Sequence, residues 1–185
     1  MRKFATLLLA GTIGISALAT AAYAENPMVG GAAMYAKKNI VENAVNSKDH
    51  TTLVAAVKAG GLVDTLQGTG PFTVFAPTNE AFAALPAGTV DTLLKPENKE
   101  KLVKILTCHV IGAKAMSADV TKMAMDDGGA HKVKTFGGCE LTLKADGGKV
   151  TVTDENGNVA NVTIADVEQS NGVIHVIDKV LLPKM

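Results

Sequence analysis

The residues with most chemistry to offer are few: two cysteines, four histidines and, beyond residue 24, the serines Ser47, Ser117 and Ser170. Cys108 is followed directly by His109 in a run, Cys108 to Ile111, that reads as extended. Neighbours on an extended chain point to opposite faces, so His109 is not placed to deprotonate that thiol. His50, His109, His131 and His175 show no His-x-His or His-x-x-x-His spacing, which is what puts two metal ligands on one face. They read as core or surface histidines, and His175, in an apolar run, as a neutral ring bonded to a neighbour. The serines sit at expected caps or loops with no Gly-x-Ser-x-Gly around them, so a hydrolytic nucleophile has no frame. Gly68-Thr69-Gly70 lacks the Lys-Ser/Thr of a phosphate loop. Asp154-Glu155-Asn156-Gly157-Asn158 begins like a calcium loop, yet Val159 stands where the turn glycine belongs and no acidic residue closes it at the twelfth place, so it reads as a hairpin tip. Met116, Met123 and Met125 could offer soft sulfur ligands, but methionines between a helix and a sheet are ordinarily core fillers. The expectation is a non-catalytic protein with no cofactor and no metal.

Stepping outward, composition narrows the partners. The chain has 185 residues, 18 Lys+Arg against 18 Asp+Glu, 4% aromatic residues and no Trp. Phosphate neutralisation needs an excess of basic groups and base stacking needs aromatic platforms, so nucleic acid is excluded as a partner. Arg2-Lys3, an apolar stretch from Phe4 to Ala22 and the small-x-small end Ala22-Tyr23-Ala24 have the layout of a secretory signal peptide over residues 1–24. Without an Arg-Arg pair or a cysteine near the boundary, Sec export into a periplasmic or extracellular space is expected, with no stable membrane span after cleavage; an uncleaved anchor is the alternative. Cleavage removes two positive charges and leaves a mildly acidic chain. In an oxidising space an even cysteine count favours a Cys108–Cys139 disulfide, with two buried free thiols as the alternative.

The elements that must position these residues fall into two halves. Residues 25–37 are small and aperiodic, either a mobile leader or a docked arm, and a single domain is expected over 38–185. Ile40, Val41, Ala44 and Val45 recur at helical spacing; Thr51 or Thr52 is placed to cap a second helix ending at Gly60-Gly61; Leu62 to Leu66 makes a helical turn. Phe72 to Ala76, bounded by prolines, reads as a strand, followed by a helix capped by Thr78 or Asn79. Leu102, Val103, Ile105 and Leu106 mark an amphipathic helix, and Ser117 is placed to cap a small helix through Val120. From His131 the period changes to alternation, with turns at Asp146-Gly147-Gly148 and Asn156-Gly157. The final run, Val173 to Leu182, is apolar on both faces and reads as a central strand. Helices first and strands after argue an α+β fold. Most aromatics lie in apolar runs that look like core.

Two segments resemble something specific: Thr73-Val74-Phe75-Ala76-Pro77-Thr78-Asn79-Glu80-Ala81-Phe82, and Asn171 to Pro183 with the run Gly172-Val173-Ile174-His175-Val176-Ile177-Asp178. They are similar to the first and second homology boxes of the fasciclin, or FAS1, domain. Leu106-Thr107-Cys108-His109-Val110 takes the place of that family's Tyr-His pair, with Cys108 departing from the tyrosine. The resemblance covers about Asn39 to Pro183 and implies helices packed on a wedge of mixed strands. It implies structural roles for Thr78, Asn79, His109 and His175, and an adhesion or protein–protein association function without catalysis. Animal members engage integrins through an Asp-Ile centred motif before the second box; only Asp166 and Val167 match it here, and they are the candidate contact residues, expected on a loop. The implied partner is a protein or matrix component at the cell envelope, met through a polar surface; an exported binder of a small ligand or metal ion is the alternative.

Overall fold

The computed structural model describes residues 26–184; the expected signal peptide lies outside the described residues. Two short strands, β1 (Met28–Val29) and β2 (Ala32–Ala33), form a hairpin of their own. The hairpin is docked: Val29 and Met34 are buried in the core, so the packing unit begins well before residue 38. Helix α1 (Ile40–Ala44) starts at a capping box in which Asn39 Oδ1 accepts from Glu42 N at 2.9 Å and Glu42 Oε2 accepts from Asn39 N at 2.8 Å. Helix α2 (Thr51–Gly60) ends on Gly61 at φ 73°, a left-handed cap that glycine adopts without Cβ strain. Neither Thr51 nor Thr52 caps α2; both are helical residues, and a side chain distant in sequence serves them, as described below. Helix α3 (Val63–Gln67) follows.

Strand β3 (Phe72–Pro77) and the last strand, β9 (Gly172–Ile177), run parallel from Phe72↔Gly172 to Pro77↔Ile177, and every residue of both is buried. A side chain at Gly172 would collide with the Phe72 carbonyl, so the pairing needs glycine there. Between these strands the chain forms α4 (Asn79–Ala83), α5 (Thr89–Leu93), α6 (Lys99–Cys108), β4 (Val110–Ile111) and α7 (Ser117–Asp126), then β5 (His131–Lys134), β6 (Glu140–Asp146), β7 (Lys149–Thr153) and β8 (Val159–Gln169). The seven-stranded sheet has the order β4-β3-β9-β8-β7-β6-β5, antiparallel apart from the β3–β9 pair. Gly147 and Gly148, at φ 55° and 81°, make the two-residue turn between β6 and β7 that alternation required. Helices α1, α2, α3 and α6 cover one face, burying Leu53, Val57, Leu102 and Leu106 against Val74 and Ile174. The other core lies among Phe75, Leu141, Leu143, Val152 and Ile177, with Val120 of α7 packed into it. The fold is α+β, as the order of periods implied.

The two ends of the sheet meet. Phe136 N donates to Val110 O at 2.9 Å and Gly137 N to Thr107 O at 3.0 Å, which joins the loop after β5 to β4 and the end of α6. A Cys108–Cys139 disulfide crosses the same seam, with Cα atoms 5.4 Å apart. The sheet is thus nearly closed, leaving little of its edges open.

Several expectations need correcting. Cys108 is the last residue of α6 and His109 its C-cap, not part of an extended run, because a backbone bond from His109 N to Leu106 O continues the helix turn. Helix α7 runs on to Asp126. Met125 on it is 70% exposed, so it fills no core gap. Strand β9 stops at Ile177, and the segment to Lys184 is a tail held by side chains. Phe136 is 57% exposed, an exception to the expectation that most aromatics are core.

Candidate functional site

Asp166 and Val167 do not stand on a loop. Both are inside β8, where the register to β9 shifts between Ile164 and Val167. The extra residue is absorbed by Asp166 at φ 58°, a left-handed conformation that Asp tolerates better than most side chains. Val167 is fully buried and offers no surface to a partner. The Asp166 carboxylate is turned toward the start of α7: Oδ1 accepts from Ser117 N at 2.6 Å and Oδ2 accepts from the Ser117 hydroxyl. Its own backbone N–H donates to His175 Nδ1 at 3.2 Å. His175 Nε2 donates to Ala115 O at 2.8 Å. Ser117, Asp166 and His175 therefore converge, but the hydroxyl donates its hydrogen bond to the carboxylate and both imidazole nitrogens are committed to backbone groups. Ser117 Oγ faces a carboxylate and not an imidazole, and neither His175 nitrogen is free to take its proton, so the serine–histidine pair of nucleophilic catalysis is not formed here.

His109 has the same character. Nδ1 donates to Ile105 O at 2.8 Å and Nε2 accepts from Leu181 N at 2.9 Å, so the ring joins α6 to the C-terminal tail. Burial pushes its pKa down to about 4, and burial also lowers those of His175 and His50. The cost of a buried imidazolium keeps all three neutral. The tail is held a second time by the β7–β8 tip: buried Asp154 accepts from Asn156 N and Asn158 N at 2.9 Å through Oδ1, and from Asn158 Nδ2 at 3.0 Å and Leu182 N at 2.9 Å through Oδ2. In this segment, which begins like a calcium loop, the carboxylate is taken up by three backbone N–H groups and one side-chain amide. Among the described residues no cluster of three His, Cys, Asp or Glu side chains is placed to hold a metal ion.

In the first box Thr78 and Asn79 divide the work. Thr78 is the N-cap of α4, its Oγ1 accepting from Ala81 N at 3.3 Å. Asn79 reaches away from its own helix to the start of α2, where Oδ1 accepts from Thr52 N at 3.0 Å and Thr51 Oγ1 at 3.1 Å, and Nδ2 donates to Lys48 O at 2.8 Å. It is the cap that α2 lacks locally. Sequence reasoning missed two further ties. Asn171 accepts from Ile40 N at 3.1 Å and donates to Leu66 O and Gly68 O at 2.8 Å each, joining α1, α3 and β9. Asn43, fully buried, donates to Tyr35 O at 2.8 Å and to Gln169 Oε1, and accepts from Tyr35 N at 3.1 Å, which locks the N-terminal arm. Asn171 lies in the second box but carries no local cue to its partners, which are more than 100 residues away.

Side chains of this kind, spent on joining strands to helices, define an α+β domain. The fasciclin domain family model matches residues 48–183, and the chain belongs to that family. It is 52% identical over 161 residues to Protein sll1483 of Synechocystis sp., covering 87% of this chain and 82% of that one. It is 34% identical over 166 residues to the cell surface glycolipoprotein MPB83 of Mycobacterium bovis, covering 86% of this chain and 68% of that one. Its fold matches a FAS1 domain pair from the insect cell adhesion molecule Fasciclin I with a TM-score of 0.69 at 22% identity, covering 78% of this chain and 51% of that one. Among the described residues no helix is long and apolar enough to cross a membrane.

Proposed function

We propose that this chain is an extracytoplasmic association module that binds a protein or matrix component of the cell envelope and performs no chemistry on it. The observation that carries the reading is the commitment of Ser117, Asp166, His175 and His109 to structural hydrogen bonds in a domain of the fasciclin family. A relative named for the cell surface and a fold neighbour named for cell adhesion support the location and the role. The layout of residues 1–24 supports Sec export, and N-terminal sequencing of exported protein is expected to begin at Glu25; retention of Met1 overturns that part. The association itself is tested with fluorescently labelled protein on isolated cell envelopes. Saturable attachment, competed by unlabelled protein, is expected. Absence of saturable attachment, or a strain lacking the protein that adheres normally but loses a defined metabolic step, overturns it.

A further inference from the structure

The loop from Thr135 to Cys139 is held on every side. Thr135 N donates to Cys139 O at 2.9 Å, Gly138 N to Thr135 O at 3.0 Å and Cys139 N to Thr135 Oγ1 at 3.2 Å, in addition to the two seam bonds and the disulfide. A Cβ at Gly137 would come within 2.8 Å of Thr107 Oγ1 and 2.9 Å of Cys108, so the loop lies as close to α6 as backbone permits. This anchored loop presents Phe136, whose exposed ring meets Phe72 edge-on with centroids 5.9 Å apart. Beside the two rings is a cleft of about 170 Å³, walled by Leu62, Leu66 and Val110 and rimmed by Thr65 and Thr107.

We propose that this cleft is the docking point for a protein partner, and that it takes one apolar anchor, a leucine or aromatic side chain, from an extended segment. The proposal rests on the association reading above and supplies its contact site. The volume is close to that of a cavity of about 150 Å³ that accepts benzene between Leu, Ile and Phe side chains. Binding energy at interfaces concentrates on such anchors in rigid apolar pockets, and a loop already stapled in place loses little freedom when it binds. The cleft and one phenylalanine face are far below the roughly 1,200 Å² that a stable interface between folded proteins needs, which favours one side chain from an extended segment over the folded face of a second copy of this chain. No charged side chain lines it, so a lysine or carboxylate entering it would lose its hydration without gaining a counter-charge. Thr107 also borders an open groove along α6 carrying Glu100 and Lys104, which gives the residues flanking the anchor a polar rim.

The test is a methyl NMR titration of the whole protein with the blocked tripeptides acetyl-Gly-Phe-Gly-amide, acetyl-Gly-Leu-Gly-amide and acetyl-Gly-Lys-Gly-amide. Saturable shifts confined to Leu62, Leu66 and Val110 are expected for the first two, with a dissociation constant on the order of 1 mM, and none for the lysyl peptide. Phe136→Ser and Thr65→Lys are each expected to weaken binding by about tenfold or more. Thr65 is exposed, so its variant reports on the cleft even if Phe136→Ser disturbs Phe72. The proposal is overturned if the apolar peptides give no saturable shift, if the lysyl peptide shifts the same methyls equally, or if both variants bind unchanged. If both variants attach to envelopes as the wild type does, the cleft is not the contact site although association stands. If tripeptides bind but the wild type does not attach, the association reading fails and the site remains.

Discussion

Acid should destabilise this protein before its carboxylates titrate, because burial disfavours the charged form of three histidines, and two of them, His109 and His175, use a ring nitrogen as an acceptor that protonation would remove. His109 shows the magnitude. Its pKa falls from 6.5 to about 4 on folding. The unfolded chain therefore binds the proton first, so stability is full above the unfolded value, falls as pH drops through 6.5 and stops falling near the folded value. At about 1.36 kcal/mol per unit, His109 alone removes about 2 kcal/mol by pH 5 and about 3 kcal/mol by pH 4. Protonation also turns Nε2 from the acceptor of Leu181 N into a donor facing another donor. His175 and His50 shift in the same direction and add to the slope. Glu155 is lowered too, by backbone N–H groups of Lys184 and Glu140, but its contribution is lost only below the ordinary carboxylate range, so the interval from pH 6.5 to 5 belongs to the histidines. A domain stable by about 5–15 kcal/mol notices such a loss. With a urea slope of about 1–3 kcal/mol/M, the unfolding midpoint should fall by about 1 M or more between pH 7.5 and 5. His109→Gln, which keeps a donor and an acceptor but not the titration, should reduce the pH slope by about one proton. A midpoint constant over that range, or the same slope in wild type and His109→Gln, would refute the reasoning.

Three other outcomes follow from the same contacts. Asn79→Ala should cost about 1–2 kcal/mol, read by urea unfolding, because it uncaps α2 and frees Lys48 O; unchanged stability with lost envelope attachment would make the first box a contact site. Cys108→Ser with Cys139→Ser should cost about 3–4 kcal/mol, since the pair closes a loop with a sequence separation of 31, and unreduced wild type should show no alkylatable thiol. Asp166→Ala with Val167→Ala should lower stability by about 2–4 kcal/mol by emptying a core site and releasing Ser117; a variant that is fully stable yet fails to attach would restore the pair as a contact surface.

From residue 40 onward the sequence alone was enough for the order of the main helices and strands, because they carry their own period and punctuation: the helical spacing from Ile40, the glycine pair ending α2, the glycine pair between β6 and β7. It was enough for the family, since the two boxes are contiguous segments; it favoured the cysteine pair, since only two are present, but left free thiols open until the tertiary structure brought the two Cα atoms to 5.4 Å. It misplaced Asp166 and Val167 because a β-bulge and a loop have similar composition, and only pairing with β9 shows which is present. It took the Asp154 segment for a bare hairpin tip and missed that the carboxylate holds the tail. It had no means of seeing that Asn79 caps a helix 27 residues earlier, or that Asn171 joins α1 and α3. Phe136 is the clearest case. Burial depends on what the sheet's closure brings alongside a residue, and the two edges that meet at Phe136 are separated in sequence by α7 and β5, so only the closed structure leaves that ring facing solvent beside an apolar cleft.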